Sequence, residues 1–114
     1  MNLHKINELV KGTILQECNP VHSYTHSFAS DLMSDVLRFH MENSILVTGL
    51  CTVQAIRTAE MSNISCIIFA RDKKVSAEML ELACENHISI IATPTSLFEI
   101  VGLLYTNGIK PVYE

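Results

Sequence analysis

Glycine and tryptophan are scarce in this chain of 114 residues, which contains four glycines and no tryptophan. The glycines stand at positions 12, 49, 102 and 108, and none of them is followed by lysine. The sequence therefore contains neither a G-x-x-x-x-G-K-[ST] phosphate loop nor a G-x-G-x-x-G dinucleotide turn. A G-x-S-x-G nucleophile elbow is also absent. These absences argue against phosphoryl transfer, dinucleotide binding and hydrolase chemistry of the usual kinds.

Basic residues are also few, since eight Lys and Arg stand against twelve Asp and Glu and give a formal charge of −4. A nucleic-acid partner is not expected, because phosphate backbones bind to basic faces. The one basic cluster, residues 71–74, is interpreted as a solvated turn. No apolar run approaches the roughly 18 residues that a membrane span needs, and the N-terminus lacks the apolar block of a signal peptide. We therefore expect a cytoplasmic protein with no membrane partner.

The cysteines and histidines do not form a metal-binding pattern. The four cysteines, at 18, 51, 66 and 84, contain no C-x-x-C pair and suit a reducing compartment. His22 and His26 would lie about 13 Å apart on a strand, which is too far for one ion. We expect neither a metal site nor a cofactor. Cys51 follows a strand-to-helix turn, where a helix N-terminus would lower a thiol pKa, although simple packing is the alternative interpretation.

Apolar strands alternate with helical patterns from residue 44 onwards. Strands are predicted at 45–48, 66–69 and 88–92, and each is followed by a helix, at about 51–61, 76–86 and 96–106. Strands that are apolar on both faces need helices above and below them, as in parallel sheets with crossover connections. The sequence therefore predicts one α/β domain over 1–114 with a mostly parallel sheet, built from three strand–helix units over 44–106.

The lead-in over residues 1–43 is less regular. The pattern predicts, in order, a helix over 3–11 ended by Gly12, a strand over 13–16, a turn at 19–20, an extended segment over 22–29 and a helix capped by Ser30. In the extended segment, Tyr24, His26 and Phe28 are expected to share one face. The apolar positions of the helix after Ser30 are predicted to continue to His40.

The last helix carries a Ser96-x-x-Glu99 capping box and ends at Asn107-Gly108. Its predicted buried stripe consists of Leu97, Ile100, Val101, Leu104 and Tyr105. The tail after it contains a proline and is predicted to be extended, at a sheet edge or on a partner. The candidate interface residues are Tyr105, Ile109, Val112 and Tyr113.

Three turns are predicted to meet at the carboxyl ends of the parallel strands, where open α/β sheets bind ligands. The candidate ligand-binding residues in these turns are Thr48, Gly49, Thr93, Thr95 and Ser96. Free N–H groups at helix N-termini would favour a nucleotide or an acidic metabolite. Ordinary helix capping is the alternative interpretation of the same Ser and Thr residues. No candidate general base lies in these turns, so a bound ligand would be sensed and not transformed.

Nearly the whole chain resembles a DRTGG domain and thereby the N-terminal domain of the bacterial HPr serine kinase/phosphorylase. The resemblance lies in Ser-Asp-Leu-Met-Ser-Asp-Val at 30–36, Ile-Ile-Phe-Ala at 67–70 and Thr-Ser-Leu-Phe-Glu-Ile-Val-Gly-Leu-Leu-Tyr at 95–105. The Asp-Arg-Thr-Gly-Gly string itself is absent. The resemblance implies a non-catalytic domain that pairs with itself beside regulatory or metabolic modules. It does not imply kinase activity, because the family's phosphate loop lies in a different domain.

Three functions are consistent with these observations. The first is a regulatory or protein-interaction domain in bacterial metabolic regulation, acting as a homodimer. The second is a sensor of a nucleotide or acidic metabolite at the carboxyl ends of the strands. The third is a redox sensor or thiol enzyme that uses Cys51.

Overall fold

Short strands and helices alternate along the chain, of which a computed structural model describes residues 1–18 and 21–112. The elements are α1 (Leu3–Leu9), β1 (Thr13–Gln16), β2 (His26–Ala29), α2 (Met33–Val36), β3 (Ser44–Thr48), α3 (Val53–Met61), β4 (Cys66–Phe69), α4 (Ala77–Glu85), β5 (Ser89–Ala92), α5 (Leu97–Thr106) and β6 (Lys110–Pro111). The predicted turn at 19–20 and Tyr113 lie outside the described residues. Within those residues, every helix is too short or too polar to span a bilayer.

The strands form one six-stranded sheet in the order β1-β5-β4-β3-β2-β6. All neighbouring strands are parallel except β1, which pairs antiparallel with β5. Every residue of β3 and β4 is buried, as expected for strands covered on both faces. The prediction of a single α/β domain with a mostly parallel sheet is confirmed.

Helices cover both faces of the sheet. Successive side chains of a strand point to opposite sides, and in the central strands both sets are buried. Leu46, Ile67 and Ile90 face a core that also contains buried residues of α2, α3 and α4. Ile45, Ile68 and Ile91 face a second core with α1 and α5. The three predicted strand–helix units are confirmed, with each helix beginning one or two residues later than predicted.

The lead-in differs from the prediction in three places. The helix after Ser30 is only four residues long and does not reach His40, and Leu32 and Leu37 at its ends are exposed. The Ser30 hydroxyl accepts a hydrogen bond from the Leu32 N–H, so it closes a turn before the helix and does not cap it. Lys11, with φ of 57°, takes the left-handed position after α1 that Gly12 was expected to take.

Tyr24 and Phe28 lie on opposite sides of the sheet, so the predicted common face is wrong. The strand begins only at His26, and Tyr24 precedes it in an irregular segment. Tyr24 is buried with α1 and α5, whereas Phe28 packs against the opposite core and lies 5.4 Å from the ring of Phe39. An alternating pattern predicts a face only where the backbone is a regular strand.

The predicted buried stripe of α5 is also partly wrong. Ile100 and Leu104 are buried, but Val101 is 40% exposed and Tyr105 is 68% exposed. The helix therefore presents two apolar faces, of which only one packs on the sheet. The tail lies at a sheet edge, one of the two predicted positions, because β6 runs parallel to β2 at one end of the sheet.

Candidate functional site

Three turns meet at the carboxyl ends of β3, β4 and β5. Main-chain hydrogen bonds join them: the Ala70 N–H donates to the Thr48 carbonyl at 3.0 Å, and the Arg71 N–H donates to the Thr95 carbonyl at 3.0 Å. The Asp72 N–H donates to the Thr93 carbonyl at 2.9 Å. The turn after β4 is thus held between the other two, and the structure brings the five predicted ligand-binding residues to one edge of the sheet.

Thr93 and Thr95 are engaged with the protein's own backbone. The Thr93 hydroxyl donates to the Val10 carbonyl at 2.7 Å, and the Thr95 hydroxyl donates to the same carbonyl at 3.0 Å. The Thr95 N–H in turn donates to the Thr93 hydroxyl. Thr93 is 1% exposed. These two hydroxyls therefore join the end of α1 to the sheet.

Ser96 is the N-cap of α5, and its hydroxyl accepts a hydrogen bond from the Glu99 N–H at 3.2 Å. The Glu99 carboxylate lies 3.2 Å from the Lys11 ammonium. Ser96 therefore acts as the capping residue that the alternative interpretation expects.

Thr48 and Gly49 both bind Asp31, a residue that was not among the candidates for this site. Asp31 Oδ1 accepts a hydrogen bond from the Gly49 N–H at 2.6 Å and another from the Thr48 hydroxyl at 2.9 Å. The Thr48 hydroxyl also accepts from the Leu50 N–H at 3.0 Å. A side-chain carboxylate thus accepts the hydrogen bonds of both donor groups at the end of β3.

Arg71 is the second residue that the sequence reasoning missed, because its basic cluster was interpreted as a solvated turn. Its guanidinium lies over Gly49, and a Cβ at position 49 would collide with it. One guanidinium nitrogen is 3.8 Å from Asp31 Oδ2. Glycine at a strand end directly before a helix signals a close approach, but the identity of the approaching group depends on the tertiary fold.

These contacts keep Asp31 ionised. The Gly49 N–H does most to hold the pKa of Asp31 below its ordinary value, and Thr48, Arg71 and Lys73 act in the same direction against partial burial. Asp31 and Arg71 are both about half exposed. The arrangement is therefore a half-exposed pair of opposite charges at this edge of the sheet. Within residues 1–18 and 21–112, no three His, Cys, Asp or Glu side chains converge in a way that could hold a metal ion.

Cys51 lies just before α3, as predicted, but its surroundings do not activate the thiol. Burial raises its pKa and outweighs the opposing charge of Lys73. The thiol donates to the Lys74 carbonyl at 3.4 Å. A raised pKa leaves less of the reactive thiolate at neutral pH.

A second surface lies beside β2 and β6, the last two strands in the sheet order. A cavity of about 210 Å³ opens there between α5, β2 and β6. Three of the predicted interface residues, Tyr105, Ile109 and Val112, line it. Ile109 is 5% exposed, so it belongs mainly to the chain's own core. Tyr105 and the partly buried Val112 present surface to solvent.

A solved structure with the same fold is that of the CBS and DRTGG domains of the regulatory region of Clostridium perfringens pyrophosphatase, complexed with the activator diadenosine tetraphosphate. The TM-score is 0.77 at 21% sequence identity, over 90% of this chain. The chain spans 45% of the length of that protein. No protein-family profile and no curated protein matches the chain. The resemblance to DRTGG domains is thus confirmed at the level of the fold.

Proposed function

We propose that this chain is a non-catalytic regulatory domain that binds a second copy of itself. The structural neighbour is a regulatory region of an enzyme, which supports a regulatory role. All four cysteines are free thiols, which suits the bacterial cytoplasm that we propose as its setting. The observation that carries the self-association is the outer surface of α5.

We define the α5 face as Phe98, Val101, Gly102 and Tyr105, which follow the spacing of one helical stripe. All four residues are exposed, and Phe98 is 90% exposed. The only charged residue of α5 is Glu99, which pairs with Lys11. Apolar and aromatic surface without charge is typical of the centre of a protein–protein interface.

Gly102 supports the same conclusion. Glycine in the middle of a helix costs roughly 0.5–1 kcal/mol relative to alanine. A Cβ at position 102 would meet no atom within 4 Å, so packing inside the chain does not require glycine here. A close approach by a helix of another molecule would require it.

The α5 face also continues into the cavity beside β6. Aromatic side chains bury roughly 150–250 Å² each, so Phe98 and Tyr105 would supply about half of the roughly 800 Å² per partner of a standard interface. Val101, Val112 and the apolar cavity wall extend this area. A two-fold interface uses the same patch on both copies, which suits one continuous apolar surface.

Analytical ultracentrifugation at tens of micromolar tests this proposal. We expect a dimer for the wild type and a monomer for Tyr105→Glu and Phe98→Glu. Met61→Glu is the matched control, because Met61 is 70% exposed on α3, away from the α5 face, and the variant should stay dimeric. A monomeric wild type would overturn the proposal, and so would dimers of both α5 variants.

Sensing of a small anionic ligand is the second candidate function. The placement of the Arg71 guanidinium over Gly49, at the edge where open parallel sheets bind ligands, favours it. The structural neighbour is described in complex with a polyphosphate nucleotide, which supports the same ligand class. A thermal-shift screen of nucleotides and phosphorylated metabolites tests it, and no stabilisation by any of them would count against it.

A further inference from the structure

Two hydrogen-bond donors and two positive charges lie around the carboxylate of Asp31. The donors are the main-chain N–H of Gly49 and the hydroxyl of Thr48, and the charges are the guanidinium of Arg71 and, at longer range, Lys73. A main-chain N–H, a hydroxyl and a guanidinium are also the groups that bind phosphate oxygens in proteins. Asp31 therefore occupies the position that an external anion would take.

The contact between Asp31 and Arg71 is weak enough that another anion could replace the carboxylate at the guanidinium. At 3.8 Å it is longer than a hydrogen bond, and both side chains are about half exposed. A phosphate group carries more charge and more acceptor oxygens than a carboxylate, and it could accept paired hydrogen bonds from the guanidinium. The one neighbouring carboxylate in this turn, Asp72, is exposed and its main-chain N–H is held by Thr93.

We infer that Asp31 is a built-in competitor at a phosphate-binding site, and that a phosphate-bearing ligand binds to Gly49, Thr48 and Arg71 by displacing it. The inference rests on the ligand-sensing candidate and is independent of self-association. Asp31 lies two residues before α2, which is only four residues long. Displacement of its carboxylate therefore removes the side-chain bonds between the β2–α2 segment and the end of β3, while the Ser30 N–H still donates to the Val47 carbonyl, and this converts occupancy of the site into a change at the surface.

Titration calorimetry with inorganic pyrophosphate and with ATP tests the inference in four proteins: wild type, Asp31→Asn, Asp72→Asn and Arg71→Gln. Asp31→Asn keeps the shape of the side chain but removes the competing charge. If Asp31 fills the site most of the time, its removal should tighten binding about tenfold, because apparent affinity scales with the competent fraction. Arg71→Gln should abolish binding. Tighter binding of ATP than of pyrophosphate would identify a nucleotide as the source of the phosphate.

Asp72→Asn is the matched control, because it removes one negative charge next to Arg71 in the chain and leaves the carboxylate that accepts from the Gly49 N–H in place. An equal gain in affinity in both Asp→Asn variants would show that the effect comes only from the change in net charge, and it would overturn the inference. Binding that is the same in Asp31→Asn and wild type would also overturn it, while the ligand-sensing candidate would stand. No binding by any of the proteins would overturn both.

The wild type provides a readout that does not depend on any variant. The amide signal of Gly49 in an ¹H–¹⁵N NMR spectrum should shift on titration with pyrophosphate, because its hydrogen-bond acceptor changes from carboxylate to phosphate. An unchanged Gly49 signal in a protein that binds pyrophosphate would place the ligand elsewhere and overturn the inference. The oligomeric state can be measured on the same samples, so that a change in ligand binding can be told apart from a change in dimerisation.

Discussion

The hydroxyl of Thr93 donates a 2.7 Å hydrogen bond to the carbonyl of Val10, which lies 83 residues earlier in the chain. The bond joins the end of α1 to the carboxyl end of β5, and Thr95 donates to the same carbonyl. Both threonines were candidates for ligand binding by their position alone. The structure shows that they satisfy a carbonyl at the end of α1, which would otherwise be buried beside them without a partner.

Replacement of Thr93 by valine should therefore destabilise the fold. Valine keeps the shape but removes the hydroxyl, and because the Val10 carbonyl keeps its bond from Thr95, the cost should be that of one net hydrogen bond, about 0.5–1.5 kcal/mol. Denaturant unfolding should show a lower midpoint with an unchanged slope. Thr93→Ser is the control and should lose much less, because it keeps the hydroxyl. Equal stability of Thr93→Val and wild type would show that the bond contributes little.

Gly102→Ala should have opposite effects on the monomer and on the proposed dimer. Alanine should stabilise the helix by roughly 0.5–1 kcal/mol, since nothing lies within 4 Å of the added Cβ. The same methyl group should weaken association if a second helix approaches closely. Thermal unfolding at low concentration and sedimentation at high concentration measure the two effects.

Gly108→Ala is the contrasting variant for that experiment. The space around position 108 is equally open, but φ is +100°, a conformation that alanine rarely adopts. It should therefore destabilise the chain. A gain in stability for Gly108→Ala, or unchanged dimerisation of Gly102→Ala, would contradict this account.

Tyr24 should make the fold sensitive to alkaline pH. Burial, with a smaller contribution from Cys66, raises its pKa to about 12, whereas an unfolded tyrosine titrates near 10. The folded state then holds its proton more tightly, so this stabilisation is present below pH about 10 and is lost as pH rises towards about 12. Unfolding measured across this range should show a smaller alkaline loss in Tyr24→Phe than in wild type.

Tyr105→Phe is the control for the alkaline experiment, because Tyr105 is 68% exposed. It should follow the wild-type curve. Identical alkaline curves for Tyr24→Phe and wild type would contradict the assignment to Tyr24.

Cys51 should react slowly at neutral pH. Burial raises its pKa, so the rate of alkylation should reach half its maximum above the ordinary thiol value of about 8.5. The comparison of wild type with Cys51→Ser isolates its contribution from that of the exposed Cys84. A midpoint near neutral pH would contradict the structure and revive the redox hypothesis.

The sequence by itself determined the three strand–helix units and the mostly parallel sheet, and it left a sheet edge or a partner as the two alternatives for the extended tail. These features depend on local patterns: β4, Cys66–Phe69, is apolar at every position, and Ser96 stands where a helix cap is needed. Such patterns indicate burial and helix ends because they repeat with the period of the element itself. The same reasoning predicts that the three turns meet at the carboxyl ends of the strands, the edge where open parallel sheets bind ligands.

Only the tertiary structure decided which groups meet at that edge. Asp31 binds Gly49 across 18 residues, and Arg71 reaches the same glycine from the next strand. The sequence placed Tyr105 both in the buried stripe of α5 and among the interface candidates, because an apolar residue has the same pattern whether it faces the core or a partner, and only the fold shows that it is exposed. Contacts between distant segments depend on how strands and helices pack in three dimensions, and the local sequence pattern does not predict them.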